Sequence, residues 1–392
     1  MTRATLIGYH GRGNFGDDIF FDVLLEWLNQ HFGATKIFVS APKESIPSHY
    51  GSFSVQCISR RFGGIARLNW LPYGVAILRS RVVCFGGGSI FLAAPFLLGA
   101  SVLFACRILR PKTPTVALGV TISENSTDNR LKSAKLFFSR FDLIVTRDDS
   151  SYQFLKSLSL RTTLVCGADL ALCWPKLFTE KPQQISPPDG LRIGIFLNHP
   201  RVETSDEATQ FIEAVALGLK QFSNRGVRPT ITLVATCVFA KDDDRLFIKP
   251  LKMMLEQNGF DVRSACHDPN NPQAVLDIIL DMHAIISSRM HPGVVALGIG
   301  TPVLHISYDQ KIDDFYSSNH LDSHRLTTVQ DFNADAVDSF LVEAMTDTQR
   351  QKSVKSAQQL QQASSSLNRV LADAGADLSR SPKPSKDPGG QA

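Results

Sequence analysis

Short apolar runs alternate with helical stretches along almost the whole chain, and most of the runs end in a glycine-rich or charged turn. This pattern limits the accessible folds more than any other feature. Residues 5–9, 36–40, 81–85, 115–120, 143–146 and 164–166 read as buried strands bounded by turn residues. Between the first two, residues 19–30 carry apolar side chains at 19, 20, 23, 24, 27 and 28, the spacing of one helix face. Residues 131–138 read as a further helix. Residues 181–190 (KPQQISPPDG) then break the pattern with three prolines in a polar setting and read as a linker. The alternation resumes with strands at 192–197, 229–235, 260–263, 284–287 and 303–306. Helices at 206–222, 245–257, 273–280, 293–300 and 334–345 separate or follow them. Strand–helix alternation on both sides of a linker predicts an α/β chain of two Rossmann-like, parallel-sheet domains, 1–180 and 191–346, facing a cleft. A polar, glutamine-rich helix is expected over 347–373. From Ala374 the composition (AGADLSRSPKPSKDPGGQA) cannot build a core, and a disordered tail is expected over 374–392.

The bulk numbers agree with two domains of ordinary size in 392 residues. Net charge is +4, from 41 basic and 37 acidic residues. That balance is too mild for a nucleic-acid partner, though a local basic patch for anionic substrates stays open. Seven scattered cysteines with no CxxC spacing predict reduced, buried thiols in a cytoplasmic protein, without a disulfide framework or a metal site. The N-terminus turns glycine-rich and acidic too early for a signal peptide. The apolar stretch 82–109 is interrupted by Gly86-Gly87-Gly88 and by Pro95 and Gly99. It reads as strand, turn and core helix rather than a membrane span, and leaves room for peripheral membrane association.

Ligands of doubly wound sheets bind beyond the C-terminal ends of the strands. Arg147 follows the strand 143–146, Arg289 and His291 follow 284–287, and Lys311 follows 303–306 shortly after. Pro292 suits the first turn of a helix, so three cations and a titratable histidine would meet beside a helix N-terminus. The plainer reading makes His291 a helix cap, pairs Arg289 with a surface carboxylate, and pairs Arg147 with Asp148 or Asp149, while Asp169 could orient Arg147 or face the cleft. Gly87 and Gly88, in the triplet after strand 81–85, could form an anion nest or simply a sharp turn. Gly11, Gly13 and Gly16 match the dinucleotide fingerprint, but Asp17 and Asp18 put negative charge where a pyrophosphate would sit. Those aspartates complement a helix dipole, or with Asn14 they hydrogen-bond a sugar.

The motifs Gly13–Asp17 (GNFGD), the glycine triplet, Arg147-Asp148-x-x-Ser151, Gly167-x-Asp169-x-Ala171, Arg289-Met290-His291-Pro292-Gly293 and Tyr308–Lys311, in this order, resemble the polysaccharide pyruvyl transferase family over roughly residues 5–320. The resemblance implies a fold similar to the GT-B glycosyltransferase arrangement. It implies transfer of a pyruvyl group from phosphoenolpyruvate to sugar hydroxyls, with no cofactor and no metal. It further implies functional positions at Arg147, His291 and Lys311. With it go donor-binding Arg289, Gly87 and Gly88 and acceptor-contacting Asn14, Asp17 and Asp169. The acceptor would be a sugar, free or as a lipid-linked oligosaccharide, in an exopolysaccharide, capsule or cell-wall precursor. One departure is Asn198-His199-Pro200-Arg201, where many members place an arginine directly after the strand. A nucleotide-sugar-dependent glycosyltransferase of GT-B type suits the same strand-end cations, but no glutamate is placed for a ribose in the second domain. A non-catalytic partner subunit is the third reading; intact Arg147, His291 and Lys311 argue against it.

Overall fold

The computed structural model describes residues 1–58, 71–91, 108–122, 128–174, 177–178, 190–198, 205–239, 242–321 and 326–380. The first sheet has the order β3-β4-β2-β1-β5-β6-β7-β8. Its strands are β1 (Thr2–Ile7), β2 (Ala34–Ser40), β3 (His49–Tyr50), β4 (Phe53–Ile58), β5 (Val82–Gly88), β6 (Thr115–Val120), β7 (Leu143–Thr146) and β8 (Thr163–Cys166). All pair in parallel except the β3–β4 hairpin. The second sheet, β11-β10-β9-β12-β13-β14, is wholly parallel. It comprises β9 (Arg192–Phe196), β10 (Thr230–Ala235), β11 (Asp261–Cys266), β12 (Ala284–Ser287), β13 (Val303–Ser307) and β14 (Leu326–Thr328). In both sheets the strand order reverses beside the first strand of the domain, at β1/β5 and at β9/β12. A ligand crevice opens at such a reversal.

Helix α1 (Phe15–Phe32) packs on the first sheet, and α2 is Leu71–Arg79. Helices α3 (Asp128–Phe138) and α4 (Asp149–Ser157) follow in the first domain, with a short 3-10 turn at Leu170–Cys173. The second domain holds α5 (Ser205–Ser223), α6 (Arg245–Gln257), α7 (Gln273–Leu280), α8 (Met290–Ile299), α9 (Gln310–Ser318) and α10 (Ala334–Ala344). Helix α8 is small and buried nearly all round. Its Gly293 lies against the His305 ring, where a Cβ would stand 2.5 Å from Cε1 and no larger residue fits, and its Gly298 packs closely on Leu177.

One apolar cluster joins the domains. It runs from Phe15, Phe20 and Leu24 of α1 to Val294 and Leu297 of α8. Leu360, Leu367 and Leu371 belong to the same cluster and come from α11 (Asp347–Arg380). Although it follows the second domain in sequence, α11 returns to the first. Trp27 Nε1 donates to the Leu371 carbonyl at 2.9 Å, and Ser364 Oγ donates to Leu172 O at 2.6 Å. The expectation of a tail disordered from Ala374 is corrected here, since the helix continues to Arg380 and Gly375 rests on the His31 ring. Composition alone misses this because the few apolar residues of α11 recur at helical spacing and find their partner surfaces on α1 and α8, both distant in sequence.

The linker 181–189, Arg201 and most of the apolar stretch 90–106 lie outside the described residues. Among the described helices none is long and apolar enough to cross a membrane. The expectation of buried thiols holds for Cys84, Cys173 and Cys237, whereas Cys166 and Cys266 are exposed; all of these are free.

Candidate active site

The site is assembled from both domains, and backbone pairing brings them together. The turn from β1 into α1 meets the end of β10. Phe15 N–H donates to Thr236 O, and Val238 N–H donates to Gly13 O, each at 2.9 Å. Asn14 caps α1 by accepting the Gly16 N–H at 3.3 Å, while its backbone bridges to Cys237. Asp18 reaches across to His267 Nε2 at 2.7 Å, with both groups buried. Burial pushes the Asp18 carboxyl up, against the pull of that histidine.

These contacts deliver α1 to His291. Its imidazole lies in the first turn of α8, edge-on to Phe20 with ring centroids 4.9 Å apart. A Cβ on Gly16 would stand 1.9 Å from its Nδ1, so glycine at position 16 is what lets the ring approach the helix. His291 Nε2 lies 3.7 Å from Asp169 Oδ2, and Arg147 Nη1 lies 3.5 Å from the same oxygen. Asp169 is fully buried and also accepts the Ala171 N–H at 2.8 Å. Burial alone would raise its pKa, but His291, Arg147 and the Ala171 N–H together hold it below the ordinary value. Asp169 Oδ2 and His291 Nε2 have no close hydrogen-bond partner among the described residues, an arrangement one inserted acceptor or donor would complete.

The R-D-x-x-S element now has a structural account. Asp148 caps α4 by accepting the Ser151 N–H at 2.8 Å, and Thr121 Oγ1 donates to it at 2.9 Å. Ser151 Oγ accepts the Ile122 N–H at 2.8 Å. With Asp148 so occupied, Arg147 turns to Asp169 across the sheet end. Lys311 sits in the first turn of α9, where Asp309 caps the helix. Its Nζ lies 3.3 Å from Asp309 Oδ2 and over the Tyr308 ring, and it lines one small cleft together with Arg147, Met290 and Asp314.

Asp17 faces this group from α1. Burial and the neighbouring Asp18 push its carboxyl up to about 7, against the lowering pull of Lys311, Arg147 and Arg12. Gly88 lies beside it, and the triplet has a packing reason as well. Cβ atoms on Gly86 and Gly87 would strike Leu24 and Phe20 of α1, and Gly87 and Gly88 have φ of +81° and +72°.

Arg289 differs from the expectation of a cation waiting for an anionic donor. Its guanidinium forms a two-pronged pair with buried Asp244 and also donates to Asp242 O at 2.9 Å. Asp244 in turn accepts the Thr236 and Cys237 N–H groups. This pair ties α8 to the end of β10, the strand end that docks the first domain, and neutralises the Arg289 charge. Nothing in the sequence distinguishes Asp244, which lies at the start of α6 in a run of three aspartates. Arg12 is a further cation at the site. That side chain lies over the rings of Tyr9 at 4.4 Å and Phe239 at 5.5 Å, close enough to act on Asp17. Its position in a glycine-rich turn after a strand was the available signal. Among the described residues, no three metal-ligating side chains gather.

Two parallel α/β domains closing on a shared cleft define the GT-B class of architecture. The same class appears among solved structures. A Listeria monocytogenes protein assigned as a UDP-N-acetylglucosamine 2-epimerase superposes with a TM-score of 0.65 at 10% identity, covering 98% of this chain and 99% of that one. Anabaena HepE, solved with UDP and glucose, gives 0.56 at 16% identity, with 95% and 99% covered. A glycosyltransferase from Rickettsia africae gives 0.58 at 10% identity, with 97% and 100% covered. At these identities the likeness shows the fold alone. Comparison with curated proteins finds no match. The family model of the polysaccharide pyruvyl transferases matches residues 14–310, most of the chain, including Arg147, Asp169, Arg289 and His291. The chain belongs to the polysaccharide pyruvyl transferase family.

Proposed function

We propose that the protein transfers the pyruvyl group of phosphoenolpyruvate to two hydroxyls of one sugar in a polysaccharide or its precursor, forming a cyclic ketal and releasing phosphate. The observation that carries this reading is the meeting of Arg147 and His291 around Asp169, with Asp17 and Lys311 facing them. Arg147, Lys311 and Arg12 supply charge for the carboxylate and phosphate of the donor. His291 gives a proton to the methylene carbon, and C2 takes on oxocarbenium character. The first hydroxyl attacks C2 while Asp17, with a pKa of about 7, accepts its proton. The bond between C2 and the bridging oxygen breaks and phosphate departs. The second hydroxyl closes the ketal, and its proton leaves with the phosphate. The proton held on Asp17 restores the one spent by His291. Asp169 fixes the His291 ring and the Arg147 guanidinium in register with one another.

A thermal-shift titration with phosphoenolpyruvate, UDP and GDP tests the donor. A ligand that binds only the folded state raises its apparent stability. Stabilisation by phosphoenolpyruvate, lost in Arg147→Ala, is expected. Stabilisation by a nucleoside diphosphate alone would overturn the reading in favour of a nucleotide-sugar glycosyltransferase. Release of inorganic phosphate on adding candidate sugars then identifies the acceptor.

A further inference from the structure

The first sheet carries a second feature at the end remote from the cleft. Arg3 and Arg81 stand side by side just ahead of the paired stretch of β1 and β5, where Arg81 N–H donates to Arg3 O at 2.8 Å. Arg79 ends α2, and Arg110 and Lys112 sit on the turn leading into β6. These five cations, all exposed, line one open pocket of about 540 Å³. Among the described residues no carboxylate lines it. The chain as a whole carries only +4, so this is a local concentration of charge rather than a reflection of composition. Like charges gathered on adjacent strand starts repel one another, and an anionic partner relieves that repulsion.

Two further observations indicate which anion. Leu109 lines the pocket and Ile108 directly precedes it, with 64% of each exposed. In sequence they follow the apolar stretch that ends at Cys106, with Arg107 between. A basic hollow edged with exposed aliphatic side chains matches a layer of anionic headgroups over acyl chains. A free phosphate or a nucleic acid would use the charge and leave the aliphatic rim without a role.

We infer that this pocket docks the protein on a membrane surface rich in anionic phospholipid. The strands run away from the pocket, so β1 at ~3.3 Å per residue places the cleft roughly 20 Å above the docked face and leaves it open. The inference does not rest on the donor reading.

Co-sedimentation of the full chain with vesicles tests it, comparing phosphatidylcholine alone with phosphatidylcholine plus phosphatidylglycerol. Binding only to the anionic vesicles is expected, falling as salt rises. Arg79→Ala/Arg81→Ala should weaken it about 30-fold, at roughly fivefold per cation removed. Ile108→Asp/Leu109→Asp should weaken it as well, while thermal melting and the response to phosphoenolpyruvate stay those of the wild type. Equal binding to neutral vesicles, or anionic binding untouched by the arginine pair, would overturn the inference. So would anionic binding that survives the aspartate pair and is matched by heparin or DNA, which would mark a general polyanion site.

Discussion

Glycine at position 16 is predicted to be required for activity because of a ring that belongs to the other domain. A methyl group there would meet His291 Nδ1 at 1.9 Å, Cε1 at 2.4 Å and Cγ at 2.6 Å. Ordinary contact begins near 3.4 Å, so in Gly16→Ala the imidazole must retreat by about 1.5 Å. That movement is large against its 3.7 Å separation from Asp169 and its edge-on packing with Phe20. Misplacing a reacting group by about 1 Å costs on the order of 100-fold in rate. Stability should move little, because glycine to alanine within a helix gains up to ~1 kcal/mol while overpacking costs ~1–3 kcal/mol. The assay is phosphate release at saturating phosphoenolpyruvate, paired with a thermal melt. The expected result is a fall in kcat of about 100-fold or more in a protein that melts within a few degrees of the wild type. In a His291→Ala background the same change should cost nothing further, as befits two residues acting through one contact. Full activity in Gly16→Ala would refute the reasoning, since the seated position of His291 would then be immaterial.

Arg289→Ala should act through stability, losing roughly 3–5 kcal/mol by stranding buried Asp244, with KM for phosphoenolpyruvate nearly unchanged; a large KM effect in a stable protein would return Arg289 to the donor site. Asp17 has a folded pKa raised to about 7, so the native state binds more protons than the unfolded chain and stability falls as pH rises from about 4 to about 7. Asp17→Asn should therefore raise the melting temperature at pH 8, have no such effect below pH 4, and abolish the rise in kcat/KM through neutral pH. Arg12→Ala should raise KM for phosphoenolpyruvate severalfold without unfolding the protein, because it lies over Tyr9 and Phe239 at the edge of the site. Truncation at Ala374 should lower the melting temperature, because Gly375 packs on His31 one turn beyond the Trp27–Leu371 hydrogen bond; an unchanged melt would show that this end of α11 contributes nothing.

Several elements were legible before any coordinates. The strands after which Arg147 and His291 appear are short apolar runs closed by turn residues, and apolar periodicity locates such runs directly. The alternation of period fixed two parallel sheets, and the strand ends then said which side of each sheet would hold the site. The ordered motifs, read together, pointed to the family. Periodicity reports which face of an element is buried and says nothing of the atom it meets. The sequence therefore left several choices open: a ligand, an adjacent aspartate or Asp169 for Arg147, and a ligand or a surface carboxylate for Arg289. Only the packing of strand ends within each domain decided that Arg147 pairs with Asp169 and Arg289 with Asp244. The same holds for Gly16, whose missing side chain looks like turn chemistry in the sequence and proves to be space for His291. It holds too for Asp17, whose raised pKa arises from burial and from a neighbouring aspartate, opposed by cations drawn from both domains. Local backbone preferences are written into neighbouring residues, whereas charge pairing, burial and close approach depend on distances through space. Those distances exist only once the chain has packed, within each domain for the two arginine pairs and across both domains for Gly16 and Asp17.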